Sequence, residues 1–150
     1  MKSRNNPFTD DIAIRTIDYY RIVYLLAAGF MFLLTEAGRF VYRPYVYKNN
    51  IDDFGLADSI GNLGGIIVQI FFMLAILNSP KKKGFNLILF AVVGYVLYEF
   101  AQPYLPKGVF DWKDVYGTIF GGIISVVLLL FIKLMIKNKL IYVFKQNTKP

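Results

Sequence analysis

The chain has 150 residues, of which 56% are hydrophobic and 17% aromatic, with a mean hydropathy of +0.47 and a formal net charge of +7. A soluble domain is about 45–50% apolar even when glycine is counted, so this composition points to a membrane protein. Cysteine and histidine are both absent, which excludes disulfides, thiolate or imidazole metal ligation, and the usual general base.

In chain order, Lys2 and Arg4 resemble the basic start of a signal peptide, but Asp10, Asp11 and Asp18 precede any apolar run. The N-terminus is therefore read as retained. Residues 1–18 form an N-terminal segment, and residues 19–150 a membrane domain. A spanning helix needs about 20 mostly apolar residues. Four runs meet this: about 19–42, 59–77, 85–101 and 115–136. Pro44 follows the first run, Asn78-Ser79-Pro80 and three lysines separate the second from the third, and Pro103 and Pro106 end the third. The fold class expected is all-α, with four transmembrane helices in two tandem hairpins.

Most of the seventeen lysines and arginines cluster outside the apolar runs, a pattern that suits an anionic membrane surface and not nucleic acid. Twelve of the seventeen fall on the side of the two termini and the middle turn, so both termini are expected in the cytoplasm. Tyr42, Tyr45, Tyr47, Tyr104, Trp112 and Tyr116 gather at the opposite ends, where amphipathic rings favour the headgroup zone. The tail after Lys137 mixes lysines with apolar residues, and it reads either as an interfacial extension of the last helix or as a frayed polar end.

Two segments repeat. Phe54, Asp58, Gly61 and Gly65 recur in the same spacing as Phe110, Asp114, Gly117 and Gly121. Upstream, Glu36 and Arg39 match the spacing of Glu99 and Gln102, and the first loop is longer by seven residues. A duplication of this type places the two hairpins around a pseudo-two-fold axis along the membrane normal, with their polar residues meeting near the extracytoplasmic end.

Gly61-x-x-x-Gly65 and Gly117-x-x-x-Gly121, continued by Ser125, are expected to pack the second span on the fourth, because helices without Cβ atoms approach closely in lipid. Asp58 and Asp114 are expected to cap the helices that they begin. Glu36 and Glu99 lie inside apolar spans, where a carboxylate is costly and must be paired, protonated or wet. Glu36 and Arg39, at i, i+3, can pair with each other at the interface, but Glu99 has only neutral Gln102 at i+3, so Arg39 is the better candidate partner of Glu99 across the axis. Gln69 is expected in an interhelical hydrogen bond near mid-depth.

At these residues the chain resembles the VanZ-like family of bacterial membrane proteins, named for a glycopeptide resistance protein. Glu99, Gln102, Pro106, Asp114 (twelve after Gln102) and Gly121 match the family pattern. Thr118 stands where the family has Asn or Asp, and Lys107-Gly108 where it has Gly-Arg. The first repeat carries Asp58, Asn62 and Gly65 in the family's spacing. The resemblance covers the third and fourth spans best, and it implies a multi-span inner-membrane protein concerned with the cell envelope.

The function expected is a polar pocket lined by Glu36, Arg39, Asp58, Asn62, Glu99, Gln102, Asp114 and Thr118. It would bind an envelope-related small molecule or lipid headgroup. The alternative is a non-catalytic subunit of a larger membrane complex, with a protein partner beside the membrane lipids. No catalytic motif, cofactor site or metal site is read from the chain.

Overall fold

The computed structural model describes residues 7–77 and 83–147, with side chains over 19–77 and 84–137. Its regular structure is helical, with no strand among the described residues. The elements are α1 (Pro7–Ala37), a π-helical turn (Gly38–Tyr42), α2 (Arg43–Lys48), α3 (Leu56–Leu77), α4 (Lys83–Ala101), a 3₁₀ turn (Gln102–Tyr104) and α5 (Trp112–Asn147). Four helical segments are long and apolar enough to cross a membrane: Tyr19–Lys48, Leu56–Leu77, Gly84–Tyr104 and Trp112–Lys137. The middle basic turn, Asn78 to Lys82, lies outside the described residues.

The first span does not stop before Pro44. Proline lacks an N–H and its ring crowds the preceding turn, which normally kinks or ends a helix. Here the wider π turn absorbs both defects: the Arg43 N–H bonds the Gly38 carbonyl, and Pro44 sits in the first turn of α2. The extra residues of the first loop are thereby spent on a helical extension to Lys48. The tail is helical to Asn147.

Helices α3 and α5 begin three residues before the expected starts at 59 and 115, because Asp58 and Asp114 are not their caps. Asp53 accepts the Gly55 and Ala57 N–H groups at 3.1 and 2.7 Å, and Asp111 accepts the Lys113 N–H at 2.9 Å. These satisfy N–H groups that a helix start leaves without intrahelical partners. Asp58 and Asp114 each become the third helical residue, which frees their carboxylates for other partners.

α3 is the central helix, packed against α1 on one side and α5 on another, with α4 lying chiefly on α5 and more lightly on α3. Ile66, Ile67, Ile70 and Phe71 are fully buried and meet Tyr24 and Ala28 of α1, Ile88 of α4, and Leu129, Ile132 and Ile136 of α5. Outward-facing residues such as Leu26, Leu33, Phe90 and Phe131 are large and apolar, as a lipid-facing surface requires. A core of this kind leaves the ionisable groups to the other end of the bundle, where α2, the loops and the starts of α3 and α5 meet.

Glycine sets two of the helix contacts. A Cβ on Gly117 would lie 2.8 Å from the Ser59 carbonyl oxygen, and one on Gly121 would lie 2.5 Å from that of Leu63, so α5 packs backbone to backbone on α3. The other half of the expected pattern does not hold. A Cβ on Gly61 or Gly65 would meet nothing within 4 Å. The glycine by which α3 approaches α1 is Gly64, whose Cβ would overlap Thr35. Ser125 is fully buried, and its hydroxyl donates to the Gly121 carbonyl at 2.8 Å.

Candidate functional site

The eight residues expected in one pocket fall into three neighbouring sets. The first lies in the gap beside α1. Arg39 Nη1 pairs with Glu36 Oε1 at 3.0 Å, one turn apart, over the π turn. This corrects the expectation that Arg39 reaches Glu99. The pair rims a cleft of about 310 Å³ whose floor is Gly61 and Gly65 and whose walls include Phe32, Gln69 and Phe72. Gln69 makes the expected interhelical bond, accepting the Tyr95 hydroxyl of α4.

The second set surrounds Asp58. Lys113 Nζ donates to its Oδ2 at 2.6 Å, the Tyr47 hydroxyl donates to its Oδ1, and Arg43 Nη2 lies 3.7 Å from Oδ1. Arg43 Nε donates to the Tyr47 hydroxyl at 3.0 Å, and the guanidinium sits over that ring at 5.5 Å from its centroid. α2, α3 and α5 are thus tied by one polar chain. The Lys113 stem runs against Gly55, whose φ of +82° only glycine adopts easily. The pairs are substantially exposed, so water and salt screen them. Sequence reasoning missed Arg43, Tyr47 and Lys113. By sequence they are two charges near the span ends and one interfacial aromatic, and no local spacing links them to Asp58.

The third set is buried. Glu99 is 2% exposed, although it is ionisable and lies in an apolar helix. Gln102 Nε2 donates to its Oε2 at 2.5 Å and Asn62 Nδ2 to its Oε1 at 3.4 Å, joining α4 to α3. Both partners are neutral, and no cation pairs with Glu99 among the described residues. Asp114 and Asp111 add like charge nearby, and Arg43 acts on Asp114 from the second set. Thr118 is fully buried, and its hydroxyl has no hydrogen-bond partner among the described residues.

The loop between α4 and α5 holds this set closed. Gly108 passes so near the Gln102 carbonyl that a Cβ would overlap it, with Lys107 at a φ of 64° before it. Phe100, Phe110, Trp112 and Tyr116 form a run of stacked and edge-on rings with centroids 5.1 to 6.1 Å apart. This run clamps the end of α4 to the start of α5. Among the described residues no group of three or more His, Cys, Asp or Glu side chains is placed to hold a metal ion.

The arrangement offers a solvent-facing end with fixed positive groups, Arg43 and Lys113, and beneath it a dry carboxylate surrounded by amides. Such a pairing of cationic rim and buried anion can recognise a ligand that carries both signs. Comparison with protein-family models, with curated proteins and with solved structures finds no match to this chain.

Proposed function

We propose that this is a VanZ-like integral membrane protein of the bacterial inner membrane whose polar end binds an envelope-related small molecule or a lipid headgroup. The observation that carries the reading is Glu99, buried in an apolar helix and held only by Asn62 and Gln102 among the described residues. Packing does not require a carboxylate there, since leucine or glutamine fills such a place at less desolvation cost. In this reading the polar end faces outward, both termini face the cytoplasm, and the chain is a tandem repeat. Support for the repeat comes from the starts of α3 and α5, which fall at the same offset as their glycine pairs, and from the contact of those two helices across the middle of the bundle.

Lipid retention tests the reading. Purified protein is exchanged into mixed micelles holding phosphatidylethanolamine or a polyprenyl phosphate, and bound lipid is read by native mass spectrometry. Glu99→Gln and Lys113→Gln are expected to lose retained lipid while keeping their helical content. Unchanged retention in Glu99→Gln, Lys113→Gln and Glu36→Gln together overturns the proposal.

One observation favours a second reading, an accessory subunit of a membrane complex. Phe54 is 98% exposed at the tip of the loop before α3, with a φ of 57° that a bulky side chain seldom adopts. An aromatic held out in this way suits a protein partner at the membrane surface. Co-purification in mild detergent separates the two, since the first reading predicts a monodisperse chain with lipid and no second protein.

A further inference from the structure

Among the described residues four serine and threonine side chains are buried in the helices, and three are satisfied by their own helix. Thr35 donates to the Met31 carbonyl, Ser59 to that of Leu56 and Ser125 to that of Gly121. A helical serine or threonine ordinarily does this. Thr118 alone does not, though it is fully buried and the Asp114 carbonyl stands one turn behind it. An orphaned hydroxyl away from water is uncommon in a native structure and calls for a partner.

The direction in which Thr118 faces follows from its neighbours. Gly117 and Gly121 lie against Ser59 and Leu63 of α3, and Gly122 lies against Val92 of α4. At 100° per residue, Thr118 falls between these two directions, in the wedge enclosed by α3, α4 and α5. The Gly117 contact with Ser59 and Leu63 sets Thr118 level with Asn62, which reaches Glu99. Glu99 is two turns along α4 from Val92, on the same face, and so looks into the same wedge. The wedge therefore collects one buried carboxylate, one buried hydroxyl without a partner, and the amides of Asn62 and Gln102. The Asn62 bond, at 3.4 Å, is long and readily exchanged, which leaves its amide free to turn its oxygen inward.

We propose that this wedge binds one small positive charge, held by the Glu99 carboxylate and the Thr118 hydroxyl, with the Asn62 amide oxygen completing the set. Oxygen donors of this kind suit a hard cation or an N–H cation. One buried carboxylate calls for one charge, since its hydrogen-bond partners Asn62 and Gln102 are neutral. Glu99 and Thr118 are 2% and 0% exposed, so the occupant is small: a free alkali cation, or the primary ammonium end of a bound headgroup. The inference rests on reading this end of the bundle as a binding site, and it adds the charge and the ligands of the innermost subsite.

Thermal unfolding of the purified protein tests it, at constant ionic strength, with N-methylglucamine replaced stepwise by sodium, potassium or methylammonium. At a hundredfold excess over the dissociation constant the midpoint is expected to rise by about 5–10 °C. A response to an alkali cation alone assigns a free ion, and a response to methylammonium assigns the ammonium of a ligand. Thr118→Val is expected to abolish the rise while unfolding no earlier than the parent in N-methylglucamine, because it removes a polar group that has no partner. Glu99→Gln is expected to abolish the rise as well, and Thr118→Val carries the test if that variant does not fold. Equal midpoints in all four cations, or a full rise in Thr118→Val, overturns the proposal. A cation response in a parent protein that retains no lipid keeps this subsite and discards the headgroup reading, whereas lipid retention that depends on Lys113, with no cation response, keeps the headgroup reading and discards the cation.

Discussion

Gly121→Ala and Gly65→Ala are the same chemical change at positions of like sequence spacing, seven residues after Asp114 and Asp58, and the structure predicts opposite outcomes. In α5 the new methyl carbon would stand 2.5 Å from the Leu63 carbonyl oxygen, and that oxygen is backbone. Reaching 3.0 to 3.4 Å, the tight end of real contacts, requires α3 and α5 to part by about 0.5–0.9 Å. A gap of that size forfeits a quarter to a half of the dispersion energy of the contacts that it opens. Overpacking of this kind costs about 1–3 kcal/mol. Alanine returns about 1 kcal/mol as the better helix former, so the net loss is up to about 2 kcal/mol. Gly65→Ala and Gly61→Ala meet nothing within 4 Å and keep only the propensity gain, so they are neutral or stabilising by up to about 1 kcal/mol. Reversible unfolding in mixed micelles with rising denaturing detergent measures all three. If Gly61→Ala or Gly65→Ala destabilises as much as Gly121→Ala, the placement of α3 against its neighbours is wrong.

Asp53→Ala removes the acceptor of the Gly55 and Ala57 N–H groups and of the Tyr42 hydroxyl, and should cost about 1–2 kcal/mol in the same assay. Asp58→Asn, which leaves those caps in place, should cost under about 1 kcal/mol, and the difference between Asp58→Asn and the parent should shrink as salt is added. Gly108→Ala forces the loop off the Gln102 carbonyl and should expose Glu99, read as faster backbone hydrogen exchange around residues 99–108 and a loss of about 1–3 kcal/mol. The chain has no cysteine, so single cysteines introduced at Lys48 and Lys107 report topology directly. An impermeant maleimide added to intact cells should label both, and protection of both would reverse the proposed orientation.

Hydropathy alone is enough to count the spans, because twenty apolar residues in a row have few other uses. The span ends were less legible. Pro44 reads as a stop in any local scheme, and only the π turn, seated by Gly38 against Ile60, lets the helix run through it. The caps were within reach: Asp111-x-x-Asp114 has the spacing of a capping box, with the cap at the first aspartate and not the second. The pairing of Arg39 could not be chosen from spacing. Glu36 at i−3 and Glu99 on another helix were both candidates, and the local one costs less side-chain ordering.

An all-helical chain with four membrane-length helices follows from local pattern, since hydropathy and proline act locally and need no knowledge of neighbours. The sequence also marks Glu99 and Gln102 as residues that an apolar helix does not call for. Packing in three dimensions settles that Gly117 and Gly121 lie against α3 while Gly61 and Gly65 stand open, that Lys113 and Arg43 serve Asp58, and that Thr118 is buried without a partner among the described residues. Those outcomes depend on which face of each helix meets another, and two helices with equal patterns receive different neighbours once a third and a fourth are packed around them.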